Sequence, residues 1–167
     1  MHTARLLLRQ FTLDDAEAYG PLVSDPAVLR YTGEEPQQSI EAVRQILQTR
    51  PLRDYLKYGY GRMACIEKST GRLVGFCGLK YLEDMNEVDI GYRFLSDTWG
   101  KGYATESASA VMNQCRKEGK IKRVIGLVEP ENLGSVNVLK KLGLAFERPV
   151  ILEDSKVPLD LYATSLP

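Results

Sequence analysis

The residues with the most chemical potential lie between positions 97 and 106. There Asp-Thr-Trp-Gly-Lys-Gly-Tyr-Ala-Thr-Glu joins an alternating apolar run to a helical one. A glycine-rich turn leading straight into a helix leaves several backbone N–H groups unpaired at the positive end of the helix dipole. Small residues at Gly100, Gly102 and Ala104 let an anion such as a phosphate approach that backbone closely. Glu87 and Asp89 form a second centre of interest. Two residues apart, they share one face of a strand. Elimination narrows the rest. The single histidine, His2, sits beside the first residue, so no Ser-His-Asp triad, Cys-His dyad or multi-histidine metal site is expected. Cys65, Cys77 and Cys115 are odd in number, widely spaced and form no CxxC pair; they read as buried thiols. Chemistry therefore falls to carboxylates, hydroxyls, backbone amides or a bound cofactor.

These groups need elements to hold them. Arg5–Phe11 predicts a strand, and Thr12-Leu-Asp-Asp15 a capping box opening a helix to about Val23 that Asp25-Pro26 ends. Ser39 caps a second helix, with Ile40, Val43, Ile46 and Leu47 at helical spacing; Pro51 interrupts it before a short piece at Leu52–Tyr58. The period then becomes two: Arg62–Glu67, Leu73–Tyr81 and Glu87–Leu95 predict strands. Tyr103–Lys117 carries Ala104, Ala108, Val111, Met112 and Cys115 on one helical face, with Gly119 as its stop. Val124–Val128 reads as an interior strand, Asn132 caps a helix ending at Gly143, and Ala145–Leu152 with Pro158–Thr164 reads as a hairpin. The order β-α-α-β-β-β-α-β-α-β-β predicts an α/β fold with a mixed sheet flanked by helices.

The bulk properties set outer bounds. A length of 167 residues suits one domain, 1–167. Twenty-two basic and 22 acidic side chains cancel, which argues against a surface built for nucleic acid or anionic membrane. No signal peptide and no apolar stretch near the roughly 20 residues of a membrane span is evident, so a cytoplasmic protein is expected.

Three phosphate-binding patterns compete for the glycine turn. A Walker A loop fails because Gly102 follows Lys101, and a dinucleotide fingerprint fails because Thr105 takes its third small position. The third pattern, Gln/Arg-x-x-Gly-x-Gly/Ala, fits at Gly102 and Ala104 with Trp99 in the first place. It is the pyrophosphate-binding loop of acetyl-CoA-dependent N-acetyltransferases. Other segments extend the likeness: Thr3–Arg9 with Asp14-Asp15-Ala16, Ser24–Tyr31, Asp89-Ile-Gly-Tyr92, and Glu131-Asn132-Leu-Gly-Ser135 running on to Lys141-Leu-Gly143. Together they cover the chain in consistent order. It resembles the GNAT acetyltransferase superfamily, especially the branch of ribosomal-protein N-terminal alanine and serine acetyltransferases.

That resemblance implies roles. Trp99, Gly100, Lys101, Gly102, Tyr103, Ala104 and Thr105 would form the loop for coenzyme A, with the amides of residues 100–104 on its diphosphate. Lys101 either adds charge there or faces solvent. Tyr92, Phe94 and Leu95 would flank the pantetheine arm, and an N–H near Phe94 or Leu95 would polarise the thioester carbonyl. Asn132 would bind the pantetheine amides, cap its helix, or do both, and Ser135 would stand near the departing thiolate. Leu139 occupies a position where many relatives have a tyrosine acid, which shifts that duty to Ser135 or a water. Lys141 would meet the 3′-phosphate end or remain solvated. Asp89 is the favoured base, with Glu87, Glu153, Asp154 or water as alternatives; Glu106 reads as structural. An α-amine of pKa about 8 is roughly 10% neutral at pH 7, so it needs modest deprotonation help. Arg30, Tyr31, Glu34 and Glu35 would border the acceptor, the acidic pair attracting a cationic amine. The expected reaction is direct acetyl transfer without metal to a primary amine: a protein N-terminus, amino acid, polyamine or antibiotic. A non-catalytic acyl-CoA-binding or sensing module is the competing reading, and monomer and homodimer both stay open.

Overall fold

A computed structural model describes residues 1–152 and 157–167, so Glu153 and Asp154 lie outside the described residues. Among these residues seven strands form one mixed sheet: β1 (Leu6–Arg9), β2 (Arg62–Glu67), β3 (Leu73–Leu82), β4 (Glu87–Phe94), β5 (Arg123–Val128), β6 (Ala145–Val150) and β7 (Leu159–Ser165). Their spatial order is β1-β2-β3-β4-β5-β7-β6. The helices are α1 (Ala16–Ser24), α2 (Pro26–Leu29), α3 (Ile40–Leu47), α4 (Arg53–Tyr58), α5 (Tyr103–Glu118) and α6 (Leu133–Lys141). The expected α/β architecture is the one observed. No helix among the described residues is long and apolar enough to cross a membrane.

Local chemistry explains most element boundaries. The Asp15 carboxylate accepts from the Thr12 N–H at 2.9 Å and from Arg9 at 2.7 and 2.8 Å, fixing a short 3-10 turn ahead of α1. Asp25 then accepts from the Ala27 N–H at 2.9 Å, so the chain starts the one-turn α2 where only a stop was expected. Pro26 opens that turn without cost, because a first-turn N–H has no partner to lose. Pro51 does not break the second helix either. The backbone widens to π-type spacing over Gln48–Leu52 and continues into α4, so the missing N–H removes no α-type bond. β1 is shorter than expected, being limited to the four residues that pair with β2.

The sheet carries a separate core on each face. Leu8, Cys77, Ile90 and Phe94 pack under Val111 and Met112 of α5 and Val136 and Leu139 of α6. On the opposite face Ala64 and Phe76 pack against Tyr19 and Leu22 of α1 and Val43 and Leu47 of α3. A third cluster, around Ile125, Val150 and Leu161, draws its buried residues from strands alone, leaving that part of the second face uncovered by helix. All three cysteines are free and buried, and burial pushes their thiols up, Cys77 to about 11. None is a ready thiolate.

Among the described residues β4 and β5 are the one parallel pair in the sheet order, and their register is the single pair Asp89↔Ile125. Beyond that point the two strands part. The sheet opens there between two halves that are antiparallel throughout.

Candidate active site

The opening lies where parallel strands end and helices begin, the usual place for a ligand crevice in a sheet of this kind. β4 leads to α5, and β5 to α6. Gly100 and Gly102 have φ of +75° and +80°, a backbone conformation glycine adopts at no steric cost. With these two residues left-handed, the six amides from Gly100 to Thr105 find no acceptor among the described residues; the first α5 amide to find one is that of Glu106, on the Gly102 carbonyl at 3.0 Å. The side chains around the turn are directed elsewhere. The Tyr103 hydroxyl bonds Glu67, and its ring lies under the Arg5 guanidinium at 4.7 Å. Glu106 accepts from Thr3 Oγ1 at 2.6 Å, from the Arg5 N–H at 2.8 Å and from Arg5 Nε at 2.7 Å. It ties α5 to the segment that leads into β1, the structural role expected of it. Lys101 is exposed, and Ala104 and Thr105 are half-buried. What the turn presents is backbone N–H.

The free edge of β4 adds more donors. Leu95 gives its N–H to the Val74 carbonyl at 2.9 Å. Since alternate residues of a strand bond to a given neighbour, the N–H groups of Tyr92 and Phe94 point away from β3, toward the opening. Of the two amides proposed for carbonyl polarisation, Leu95 is thus already engaged and Phe94 faces the crevice. Trp99 is 54% exposed, yet its indole N–H donates to the Phe94 carbonyl at 2.8 Å. It folds over the last β4 carbonyl at the crevice mouth.

Across the opening, Asn132 caps α6 by accepting from the Ser135 N–H at 3.2 Å. The Tyr92 hydroxyl bridges to Ser135, 3.0 Å from its carbonyl and 3.0 Å from its Oγ. Burial pushes the Tyr92 phenol well up, so it remains protonated. If the phenol donates to the carbonyl, Ser135 Oγ donates to the phenol, forming two linked neutral hydroxyls. Leu139 is buried and fits against β5 because Gly126 has no side chain; a Cβ there would stand 2.5 Å from its Cδ2. Lys141 lies at the other end of α6, about 12 Å along the axis from the first turn, and stays apart from this cluster.

Asp89 is buried at the point of divergence. Its carboxylate takes an ion pair from Arg62 on one oxygen and the Leu127 N–H of β5 at 3.4 Å on the other. Burial raises its pKa, and Arg62 opposes the shift. Arg62 can cross the sheet to reach it because Gly91 leaves space: any Cβ there would overlap the guanidinium. Glu87 pairs with Arg123 at 2.9 Å. Glu34 is not free to attract a cation, being clamped by Arg50 at 2.6 Å and Arg93 at 2.8 Å. Burial alone would raise its pKa, but the two guanidinium groups outweigh it and hold it low. The Arg30 guanidinium covers the Tyr31 ring at 5.0 Å, and Glu35 is exposed.

The family described as "Acetyltransferase (GNAT) domain" matches residues 5–145. The chain belongs to the GNAT acetyltransferase family. A relative named as the uncharacterized N-acetyltransferase p20 of Bacillus licheniformis is 30% identical over 99% of this chain and 94% of its own. A GNAT-family acetyltransferase from Bacillus anthracis superposes with a TM-score of 0.82 at 27% identity, covering 99% of this chain and 97% of that one. RimL, named as a ribosomal L7/L12 α-N-protein acetyltransferase in complex with coenzyme A, gives 0.83 at 21% identity over 98% and 96%, a likeness of fold. In this GNAT acetyltransferase the structure gathers Tyr92, Phe94, Trp99, the 100–105 amides, Asn132 and Ser135 around one opening. Sequence reading missed Arg62 as the partner of Asp89 and the phenol of Tyr92 as the partner of Ser135. Glycine at 78 and 91 in paired strands was the one signal that a long side chain crosses the sheet.

Proposed function

We propose that this enzyme transfers the acetyl group of acetyl-CoA directly to a primary amine, with a peptide N-terminal α-amine and small-molecule amines both within that class. The observation that carries the reading is the run of six unpaired amides at the start of α5, continuous with the free edge of β4. Such a run suits a diphosphate and the amide-bearing arm that follows it in coenzyme A. Acetyl-CoA supplies an activated acyl carbon with a thiolate leaving group. In the balanced reaction the amine nitrogen forms the new C–N bond, the C–S bond breaks, one amine proton passes to the leaving sulfur and the ammonium proton passes to solvent. The Phe94 N–H would donate to the carbonyl oxygen as negative charge builds there. Ser135, backed by Tyr92, would supply the proton to sulfur. Asp89 would accept the amine proton, directly or through water, with Arg62 fixing its orientation. A cytoplasmic setting belongs to the same reading, and three free buried thiols suit a reducing compartment.

Calorimetric titration with acetyl-CoA, ATP and NAD tests the ligand; the expected outcome is binding of acetyl-CoA alone. Absence of acetyl-CoA binding would sink the proposal. Ser135→Ala tests the chemistry: kcat should fall about a hundredfold with KM for acetyl-CoA nearly unchanged, as for loss of one proton-transfer group. An unchanged kcat would assign the proton to another donor.

A further inference from the structure

The sheet face opposite α5 and α6 carries a charge pattern that bears on the identity of the amine, an inference resting on the acetyl-transfer reading. Lys80 and Asp89 are direct cross-strand partners, so their side chains leave the sheet side by side on that face. Ile125 continues the same row across the opening. Each neighbouring carboxylate already has a guanidinium. Glu34 is held between Arg50 and Arg93, Asp89 by Arg62, and Asp54 by Arg53 at 3.1 Å. Lys80 is half-buried, and its ammonium forms no hydrogen bond or ion pair with any described residue. Its ammonium feels the charges of Arg62, Asp54, Arg50 and Asp89, and burial together with Arg62 lowers its pKa.

Among the described residues Asp89, the proposed base, therefore stands between two cations, Arg62 and Lys80, in a chain whose total charge is zero. An incoming ammonium meets net repulsion there unless it brings negative charge of its own. We propose that Lys80 recognises an anionic group on the acceptor, so that the amine acetylated by this enzyme carries a carboxylate close by. An α-amino acid is the simplest member of that class: its amine can face Asp89 while its carboxylate meets Lys80, one strand over. A peptide beginning with Asp or Glu offers the same chemistry. Polyamines and aminoglycosides offer the opposite.

The test measures thiol release from acetyl-CoA with the 20 amino acids, their carboxamides, dipeptide amides beginning with Asp, Glu, Ser or Ala, spermidine and an aminoglycoside. For the best amino acid, kcat/KM should exceed that of its carboxamide by about tenfold or more, as expected for one partly desolvated charge pair. Lys80→Met should bring that ratio to within about twofold and Lys80→Arg should keep most of it, because the first keeps an unbranched stem but removes the charge and the second keeps the charge on a differently shaped head. If the acidic dipeptides carry the preference instead, the carboxylate lies on a side chain and the peptide is the acceptor. Acetyl-CoA titration of Lys80→Met shows whether the variant is folded. Three results overturn the proposal: spermidine or the aminoglycoside as best acceptor, a carboxylate preference that survives in Lys80→Met, or no carboxylate-bearing acceptor turned over faster than its neutral counterpart. With acetyl-CoA still bound, each of these leaves the acetyl-transfer reading standing.

Discussion

Two helices begin at the carboxyl ends of adjacent parallel strands, and their first turns are built in opposite ways. At α6 the Asn132 side chain accepts from the Ser135 N–H, while the N–H groups of Asn132 and Leu133 are taken by Glu129 and Glu131 carbonyls at 2.9 Å. At α5 the cap is Gly102, which has no side chain to offer, and its amides stay open. An uncapped helix start costs stability unless something else supplies the acceptors. The contrast assigns different tasks to two similar sites. α5 is left open for an anionic ligand, whereas α6 closes itself and holds Ser135 and Tyr92 in fixed positions.

The comparison can be broken most forcefully at Gly102. Gly102→Val places a β-branched residue at φ +80° and should raise the Kd for acetyl-CoA at least about thirtyfold in a calorimetric titration, mostly by reshaping the open turn. Affinity retained in that variant would mean that the α5 start is not the anion site. Asn132→Ala acts on the closed end. It should cost about 1 kcal/mol in urea unfolding through loss of the cap, while weakening acetyl-CoA by only about threefold. A larger loss of affinity would make Asn132 a direct ligand as well as a cap.

The smallest effect concerns Glu106, the acid in the first turn of α5. Burial alone would raise its pKa, but the bonds from Thr3 and Arg5 prevail and hold it below the usual range. A carboxylate lowered on folding stabilises above its unfolded pKa, near 4.3, and loses that contribution as pH falls through the folded value. Glu106→Gln should therefore lower Tm by about 2–4 °C at pH 7, a gap that closes as pH drops below about 4. Asn132→Ala should show no comparable closing, since no acid stands in the first turn of α6. A Tm gap for Glu106→Gln that persists at pH 3 would point to packing rather than charge.

What was legible in advance follows a common rule. Gly100, Gly102, the Asn132 cap, the Thr12–Asp15 turn and the apolar face of α5 each depend on residues within a few positions of one another. Sequence spacing governs such features directly. The errors arose where spacing has no authority. Glu34 read as a lure for cations, yet Arg50 and Arg93 arrive from a helix and a strand 16 and 59 positions away to neutralise it. Leu139 removed one possible acid from the expected set, and a different hydroxyl, that of Tyr92, meets Ser135 from across the opening.

By itself, then, the sequence determined the order of the strands and of all helices but the one-turn α2, the open turn before α5 and the family resemblance. Backbone hydrogen bonding and side-chain periodicity are local and repeat along the chain, which makes them readable in one dimension. The tertiary structure alone decided which charges cancel and which remain. Arg62 reaches Asp89 over two glycine positions in neighbouring strands, and the Lys80 ammonium beside it is left without a partner among the described residues. Electrostatic energy depends on distance in space and on burial, so the net charge of zero could not disclose a local excess of cations beside the proposed base.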